Sequence, residues 1–122
     1  MKAKRFAVYG TLRPGFGNNR LLKRAKHLGT ERTKPQFKMY NVGWFPAVVE
    51  GNEEITVDVY EVTEPEIVKN LDRLEGAYRN NPSQGMYRAE TVETSHGKAD
   101  IYIWNNDVKD LDYIPSGDFT NL

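Results

Sequence analysis

Cysteine is absent from this chain, which excludes disulfide bridges, thiolate metal ligands and thiol nucleophiles. Histidine is scarce: His27 and His96 fall in different predicted elements, and a zinc site without cysteine would need an unusual number of carboxylates. The serines, Ser83, Ser95 and Ser116, lack the nucleophile-elbow pattern of serine hydrolases. The sequence therefore predicts neither a metal centre nor a cysteine or serine nucleophile.

An excess of charge of one sign is also absent, since Lys+Arg and Asp+Glu both number 17. No overall basic field is available to concentrate the protein on nucleic acid. No apolar run approaches the roughly 20 residues of a membrane-spanning helix. The apolar stretch from Phe6 to Val8 is shorter than the core of a signal peptide, about 7 to 15 residues. We therefore expect a cytoplasmic protein that binds neither membranes nor nucleic acid.

Segments typical of β-strands outnumber those typical of helices. Residues 5–9 are β-prone and end at Gly10, and residues 55–60 alternate apolar and polar side chains. Two strand-like runs on either side of residues 95–97 indicate a β-hairpin. Neither a regular βαβ alternation nor an internal repeat is present. These patterns predict one mixed α+β domain over residues 1–122, with a curled or barrel-like sheet.

Two helices are predicted. Apolar side chains recur at helical spacing between a capping-box sequence at residues 63–66 and Gly76, which predicts a helix from about Glu64 to Glu75. A shorter helix is predicted over residues 21–28, capped by a preceding asparagine and ended at Gly29. Between the strands, the sequence GWFPAVV is expected to form an apolar turn.

The glycine-rich loop after the first strand is the first candidate binding site. Gly10 and Gly15 have the spacing of a phosphate-binding P-loop, but Phe16 and Gly17 stand where lysine and serine or threonine are required. A smaller anion such as a carboxylate needs only a few backbone amides and a hydroxyl, which residues 10–12 can supply. The alternative is an ordinary turn between a strand and a helix.

Glu75 is the second candidate, because it closes the predicted helix beside its apolar stripe, one turn after Leu71. The helix dipole, desolvation and the carboxylate of Asp72 would raise the pKa of Glu75, whereas Arg73 or Arg79 would lower it. If the raising effects dominate, Glu75 can act as a general base near neutral pH. Helical periodicity alone favours the alternative, a solvent-facing glutamate at a helix end.

Five short motifs extend these observations along almost the whole chain. In order, they are VYGTLRPGFGNN at 8–19, GWFPAVV at 43–49, LDRLEG at 71–76, MYRAETVE at 86–93 and IPSGDF at 114–119. Together they resemble the gamma-glutamylcyclotransferase-like family, and the pairing of YGTLR with LDRLEG is the most specific part of the resemblance. The resemblance implies a small mixed β-barrel flanked by short helices, and chemistry that needs no cofactor.

The resemblance also implies the residues of the site and their chemistry. The family's reaction closes a gamma-glutamyl group to 5-oxoproline and releases the attached amine, so the expected partner is a small gamma-glutamyl compound. The family's catalytic glutamate falls on Glu75, which would act as both base and acid. The substrate-anchoring loop falls on Tyr9, Gly10, Thr11 and Leu12, and Arg13 and Tyr87 are further candidates for the pocket.

One segment departs from the family pattern. Many relatives have an aromatic residue directly after the Glu-Gly pair, but this chain has Ala77 and Tyr78, followed by the polar insertion at residues 79–85. The substrate is therefore left open. One alternative is a binding module of the same fold that recognises a small carboxylated metabolite or a peptide without turnover. A third hypothesis is an interaction surface at an exposed sheet edge or at the aromatic turn of Trp44 and Phe45.

Overall fold

The computed structural model describes all of residues 1–122. It contains one α-helix, α1 (Pro65–Glu75), and two short 3₁₀ helices at Gly17–Leu22 and Pro82–Gln84. The predicted α+β class is confirmed. The strands are β1 (Lys4–Val8), β2 (Lys26–Arg32), β3 (Phe37–Asn41), β4 (Pro46–Glu50), β5 (Thr56–Val62), β6 (Tyr87–Thr94), β7 (Gly97–Trp104) and β8 (Asp112–Tyr113).

These strands form two sheets. The larger has five strands in the order β2-β5-β1-β7-β6, and β1 pairs antiparallel with β5 and parallel with β7. The smaller has three strands in the order β4-β3-β8 and contacts the larger through β4 and β7. The barrel-like character expected from the resemblance therefore takes the form of two packed sheets, because no ladder of hydrogen bonds joins them into a continuous ring.

Both faces of the five-stranded sheet are covered by apolar side chains. Because successive side chains of a strand point to opposite faces, β1 contributes to two separate clusters. Phe6 and Val8 pack in the cluster that contains Leu71 of α1, whereas Ala7 belongs to the cluster that contains Met39 of β3. The strand β1, in the middle of the sheet, thus connects the cluster beside α1 to the cluster beside the smaller sheet.

The helix α1 begins and ends within one residue of the predicted range of 64–75. Glu64 occupies the N-cap position without a side-chain hydrogen bond, so the predicted capping box is wrong. Gly76 ends the helix in the left-handed conformation, with φ of 60° and ψ of 40°, which a glycine adopts without steric cost. Eleven residues are too few to cross a bilayer, and the chain has no helix with the length and hydropathy of a membrane span.

The predicted helix over residues 21–28 is wrong. Its first residues end the 3₁₀ helix, and the chain then enters β2, which pairs with β5. Gly29 lies inside β2 at a register shift instead of ending a helix. The physical reason is tertiary: β2 satisfies the backbone groups along one side of β5, and this pairing outweighs the weak helix preference of Leu, Lys, Arg and Ala.

The expected turn at GWFPAVV is partly wrong, because its second half forms β4 and pairs with β3. Trp44 remains in the turn and is 91% exposed, whereas Phe45 is half-buried and packs in the cluster next to α1. The predicted hairpin is confirmed, since β6 and β7 pair from Tyr87 and Trp104 to Thr94 and Gly97.

Candidate active site

A cavity of about 280 Å³ opens where β1 and α1 both end. Its volume is close to the lower limit of ligand pockets, roughly 300 Å³, and therefore suits a small metabolite. Ten of its 15 lining residues are hydrophobic. The lining comprises Ala7, Val8, Tyr9, Gly10, Thr11, Leu12, Asn18, Trp44, Phe45, Pro46, Leu74, Glu75, Met86, Tyr87 and Tyr102.

The predicted anchoring loop, residues 9–12, borders this cavity along its whole length. The chain reverses immediately after β1, where the N–H of Arg13 donates to the carbonyl oxygen of Gly10 at 3.0 Å. Within the loop, the N–H groups of residues 10–12 donate to no protein acceptor. Successive free amides at a turn form a concave donor site for an anion.

Neighbouring side chains hold the loop in place. Asn19 donates through Nδ2 to the carbonyl oxygen of Leu12 at 2.7 Å, and Asn18 donates to Thr11 Oγ1 at 2.9 Å. The Thr11 hydroxyl accepts that bond and keeps its own proton for another acceptor. Both asparagines belong to the 3₁₀ helix at Gly17–Leu22, whereas the sequence pattern predicted that one of them would cap a helix over residues 21–28.

Gly10 is required by a close approach between the loop and β4. A Cβ atom at this position would lie 2.8 Å from Cδ and 2.9 Å from Cγ of Pro46. Such distances are shorter than carbon atoms adopt in van der Waals contact, about 3.5 to 4.0 Å. The absent side chain therefore lets residues 10–12 lie against the turn that carries Trp44.

Glu75 borders the same cavity at the C-terminal end of α1. Its carboxylate makes no hydrogen bond or ion pair within the protein, and its side chain is half-buried beside Leu74, Met86 and Tyr87. Burial raises the pKa of Glu75 from its ordinary value of 4.5 to about 7, because the charged form is poorly solvated there. Of the effects that the sequence suggested could raise this pKa, desolvation is the one responsible.

Asp72, the other expected contributor to the pKa of Glu75, is engaged elsewhere. Its carboxylate accepts from Arg79 Nε at 2.7 Å and from the hydroxyl of Tyr102 at 2.6 Å. Arg79 also bonds Asp100 at 2.7 Å, so its one positive charge is shared between two carboxylates. Glu75 is consequently left as the single charged side chain that lines the cavity.

Three tyrosine hydroxyls at the cavity are already committed as donors. Tyr9 donates to the carbonyl oxygen of Tyr102 at 2.5 Å, and Tyr87 donates to that of Pro46 at 2.7 Å. Tyr102 donates to Asp72, as described above. Burial raises the pKa of all three hydroxyls above the ordinary value, which keeps the rings neutral. These tyrosines therefore provide apolar walls rather than free donors.

Arg13 does not line the cavity. Its guanidinium points behind the loop and is buried, donating to Asp58 at 2.7 Å and to Asp118 at 2.9 Å. Asp58 also accepts from His27 at 2.8 Å and from Thr30 at 2.5 Å. Of the predicted site residues, the structure thus brings together Glu75, Tyr87 and residues 9–12, and it separates Arg13 from them.

Several lining residues are not identifiable from the sequence. Asn18 has the pattern of a helix cap, and Pro46, Met86 and Tyr102 carry no signal that distinguishes them from core residues. Asp58 carries no signal of its burial either, because it occupies a polar position in the alternating pattern of residues 55–60. No group of three or more His, Asp or Glu side chains is arranged to hold a metal ion.

Comparisons with known proteins identify the family of this chain. The family described as gamma-glutamyl cyclotransferase, AIG2-like, matches residues 6–121. A Vibrio cholerae protein that bears the name gamma-glutamylcyclotransferase in its description is 38% identical over 112 residues, which cover 92% of this chain and 91% of that protein. The gamma-glutamylcyclotransferase family protein YtfP of Escherichia coli is 30% identical over 115 residues, covering 94% of this chain and 95% of YtfP.

The fold has solved counterparts as well. The crystal structure of an uncharacterized protein from Pyrococcus horikoshii superposes with a TM-score of 0.79 at 34% identity, covering 95% of this chain and 89% of that one. The family match over residues 6–121 extends from β1 to the C-terminal segment and so includes every element that borders the cavity. The chain therefore belongs to the gamma-glutamyl cyclotransferase, AIG2-like family.

Proposed function

We propose that the protein converts a gamma-glutamyl amide to 5-oxoproline and releases the attached amine. The observation that carries the proposal is that the unpaired carboxylate of Glu75 and the unpaired amides of residues 10–12 line one small cavity. Family membership supports the same reaction class. Under this proposal Glu75 is the general base and then the general acid.

The amide loop binds the substrate's α-carboxylate. Backbone N–H groups of residues 10–12 and the hydroxyl of Thr11 are donors without a protein acceptor, and bonds from such donors to an ionised carboxylate are stronger than neutral ones. The apolar walls lower the local dielectric and strengthen these bonds further. Holding the carboxylate fixes one end of the glutamyl chain, so that its α-nitrogen can fold back onto its γ-carbonyl carbon.

Glu75 moves the protons. It takes one proton from the α-ammonium, the freed amine attacks the γ-carbonyl carbon, and the bond from that carbon to the leaving nitrogen breaks. Of the three ammonium protons, one stays on the ring nitrogen and two reach the released amine, so Glu75 ends as a carboxylate. A carboxyl group with a pKa of about 7 can both accept and return protons near neutral pH.

Geometry supplies the rest of the rate enhancement. Closing a five-membered ring is intramolecular, and well-oriented intramolecular reactions reach effective molarities on the order of 10⁵ to 10⁸ M. The enzyme therefore needs to select the folded conformation and manage the protons. One carboxylate and one amide loop are sufficient for both tasks.

The test is the release of 5-oxoproline from gamma-glutamyl amino acids and gamma-glutamyl-ε-lysine by the wild type and by Glu75→Gln. We expect the substitution to lower kcat/KM by about 10² to 10⁴-fold, the range typical of a lost acid/base group. Glu66→Gln is the matched control, because Glu66 lies on the exposed side of the same helix. Equal rates for wild type and Glu75→Gln would refute the assignment of Glu75.

The pH dependence provides a second readout. Because Glu75 must be ionised to accept a proton, kcat/KM of the wild type should fall about tenfold per pH unit below about pH 7.

The non-catalytic alternative predicts a different result in calorimetry: saturable binding of gamma-glutamyl compounds without any 5-oxoproline.

A further inference from the structure

The polar insertion at residues 79–85 packs directly against the end of α1, although none of its residues lines the cavity. Just after it, the N–H of Met86 donates at 3.1 Å to the carbonyl oxygen of Gly76, the residue that follows Glu75. A Cβ atom on Gly85 would overlap the same carbonyl oxygen, so only glycine lets the insertion approach this closely. The position of the helix end therefore depends on where the insertion is held.

Asn105, the residue after β7, fastens the insertion with both groups of its side-chain amide. Its Nδ2 donates to the carbonyl oxygens of Pro82 at 2.7 Å and of Gly85 at 2.8 Å. Its Oδ1 accepts from Arg88 at 2.8 Å, which orients the amide with its two N–H groups toward the insertion. Its backbone N–H donates to the carbonyl oxygen of Met86 at 3.0 Å. A single residue therefore ties the middle and the end of the insertion to β7.

The start of the insertion has a different anchor. Arg79 bonds Asp72 of α1 at 2.7 and 3.0 Å, and Asp100 of β7 at 2.7 Å. These ion pairs are partly exposed, and solvent and salt weaken pairs of this kind. Asn105 is half-buried and makes neutral hydrogen bonds. Of the two anchors, Asn105 is the one that holds the backbone next to Gly76.

The insertion matters for Glu75 because the two residues that follow it, Met86 and Tyr87, border the cavity beside that carboxylate. If they move away, water can solvate the charged form, and the pKa of Glu75 falls from about 7 toward its ordinary value of 4.5. The other titratable and charged groups around Glu75 are three buried hydroxyls and one ion pair: Tyr9, Tyr87, Tyr102, and Asp72 with Arg79.

We propose, on the basis of the proposed function, that Asn105 is a positioning residue for Glu75. By fastening the insertion against Gly76, it keeps the end of α1 and the covering residues in the arrangement that buries the carboxylate beside the amide loop. Asn105 itself lies outside the cavity lining. Its loss should therefore change how Glu75 is placed and solvated, and leave the binding of the α-carboxylate largely intact.

The experiment follows the ionisation of Glu75 directly, by carbon-13 NMR titration of its carboxyl group in wild type and in Asn105→Ala. We expect a midpoint near pH 7 in wild type and a midpoint lower by at least about half a pH unit in Asn105→Ala. Asn105→Ser carries the same test if Asn105→Ala does not fold, because one hydroxyl cannot donate to both carbonyls. Asn81→Ala is the matched control: Asn81 is exposed, bonds only Gln84 within the insertion, and should leave the midpoint unchanged.

The 5-oxoproline assay shows the effect on the reaction. Asn105→Ala should lower kcat by about 10- to 100-fold and change KM by less than about threefold, because the base is displaced while the amide loop is intact. The low-pH limb of kcat/KM should move to lower pH together with the NMR midpoint. A residue that only supported the fold would lower the unfolding midpoint and leave this limb in place.

The two readouts separate this inference from the proposed function. Equal Glu75 midpoints in wild type and the folded Asn105 variants would overturn the inference, whether or not the protein is active. A lower midpoint in the variants, with no 5-oxoproline from wild type, would support the positioning of Glu75 and refute the proposed reaction. A lower midpoint with unchanged kcat would overturn the role of Asn105 in catalysis and leave the reaction standing.

Discussion

At the scale of single residues, Glu75 has a proton affinity set by the cavity around it. Its neighbours are apolar, no cation pairs with it, and burial raises its pKa to about 7. An ionised carboxylate in this position is destabilising for the fold above that pH, since its charge is poorly solvated. The feature that suits Glu75 to proton transfer therefore also costs stability.

This trade-off predicts that Glu75→Gln stabilises the protein at alkaline pH. Because the pKa of Glu75 is about 7 in the folded state and about 4.3 in an unfolded chain, the folded state binds the proton more tightly. The favourable contribution is complete below about pH 4 and is lost as pH rises through about 7. Urea unfolding should show Glu75→Gln more stable than wild type by on the order of 2 kcal/mol at pH 8.

At about pH 4 the same two proteins should differ little, because glutamine resembles a protonated glutamate. Glu66→Gln serves as the control and should show no such pH-dependent difference, since Glu66 is exposed. A constant difference between wild type and Glu75→Gln across this pH range would contradict the account of Glu75.

Gly10→Ala is predicted to damage the anchoring loop. The new methyl group would lie 2.8 Å from Pro46 Cδ, so the loop or β4 must move. Overpacking of this kind costs about 1 to 3 kcal/mol, and displaced amides should also lower kcat/KM at least tenfold. Gly17→Ala is the matched control, because nothing lies within 4 Å of its Cβ position and its φ is not positive. An active and fully stable Gly10→Ala protein would refute this role of Gly10.

At the scale of secondary structure elements, the buried ion pair of Arg13 and Asp58 joins separate parts of the fold. Asp58 lies in β5 and accepts bonds from Thr30 and His27 of β2 as well as from Arg13. Arg13 also reaches Asp118 near the C-terminus. Arg13 therefore ties the anchoring loop to β5 and to the C-terminal segment, although its side chain does not line the cavity.

Asp58→Asn is predicted to destabilise the protein by roughly 3 kcal/mol, because it leaves the buried guanidinium of Arg13 with only Asp118 as a charged partner. Denaturant unfolding at pH 7 measures this loss. Arg24→Ala is the comparison, since the pair of Arg24 with Glu64 lies on the surface and should contribute less than about 1 kcal/mol. Similar effects of both substitutions would contradict the importance of burial.

The Asp58 effect should also depend on pH. Desolvation alone would raise the pKa of Asp58, but hydrogen bonds from Thr30, Arg13 and His27 outweigh it, and the pKa is lowered. The stabilisation is therefore present above the unfolded-state pKa, about 3.9, and is lost as pH falls through the lower folded-state pKa. The stability difference between wild type and Asp58→Asn should shrink accordingly in strong acid.

At the scale of the whole molecule, one sheet supports both apolar clusters. The strand β1 contributes Phe6 and Val8 to the cluster beside α1, and Ala7 to the cluster beside the smaller sheet. Loss of either cluster would expose one face of the same strand. This coupling is the physical basis for treating residues 1–122 as one domain, which remains a proposal.

The coupling of the two apolar clusters through β1 predicts a single cooperative unfolding transition. Far-UV circular dichroism, which reports the sheets, should give the same midpoint as tryptophan fluorescence, which reports mainly the half-buried Trp104 because Trp44 is already exposed. Trp44→Phe should leave the fluorescence transition in place. Two separated midpoints would show that the layers unfold independently.

Local patterns predicted the elements whose signal lies within a few neighbouring residues. The helix ending at Glu75 followed from apolar spacing and Gly76, and the hairpin of β6 and β7 followed from two strand-like runs around a turn. The segment at residues 21–28 failed because its partner, β5, is distant in sequence, and no local pattern encodes that pairing. The capping box failed because Glu64 occupies the N-cap position without a capping bond.

The amino-acid sequence by itself determined the family, the α+β class and the identity of the two candidate stretches, because these depend on residue type and order. Only the tertiary structure decided that Glu75 and residues 10–12 line one cavity and that Arg13 points away from it. It also placed Trp44 and Met86 in the lining of that cavity. Such facts depend on which distant segments pack together, and burial, pKa and free hydrogen-bond donors exist only after that packing is formed.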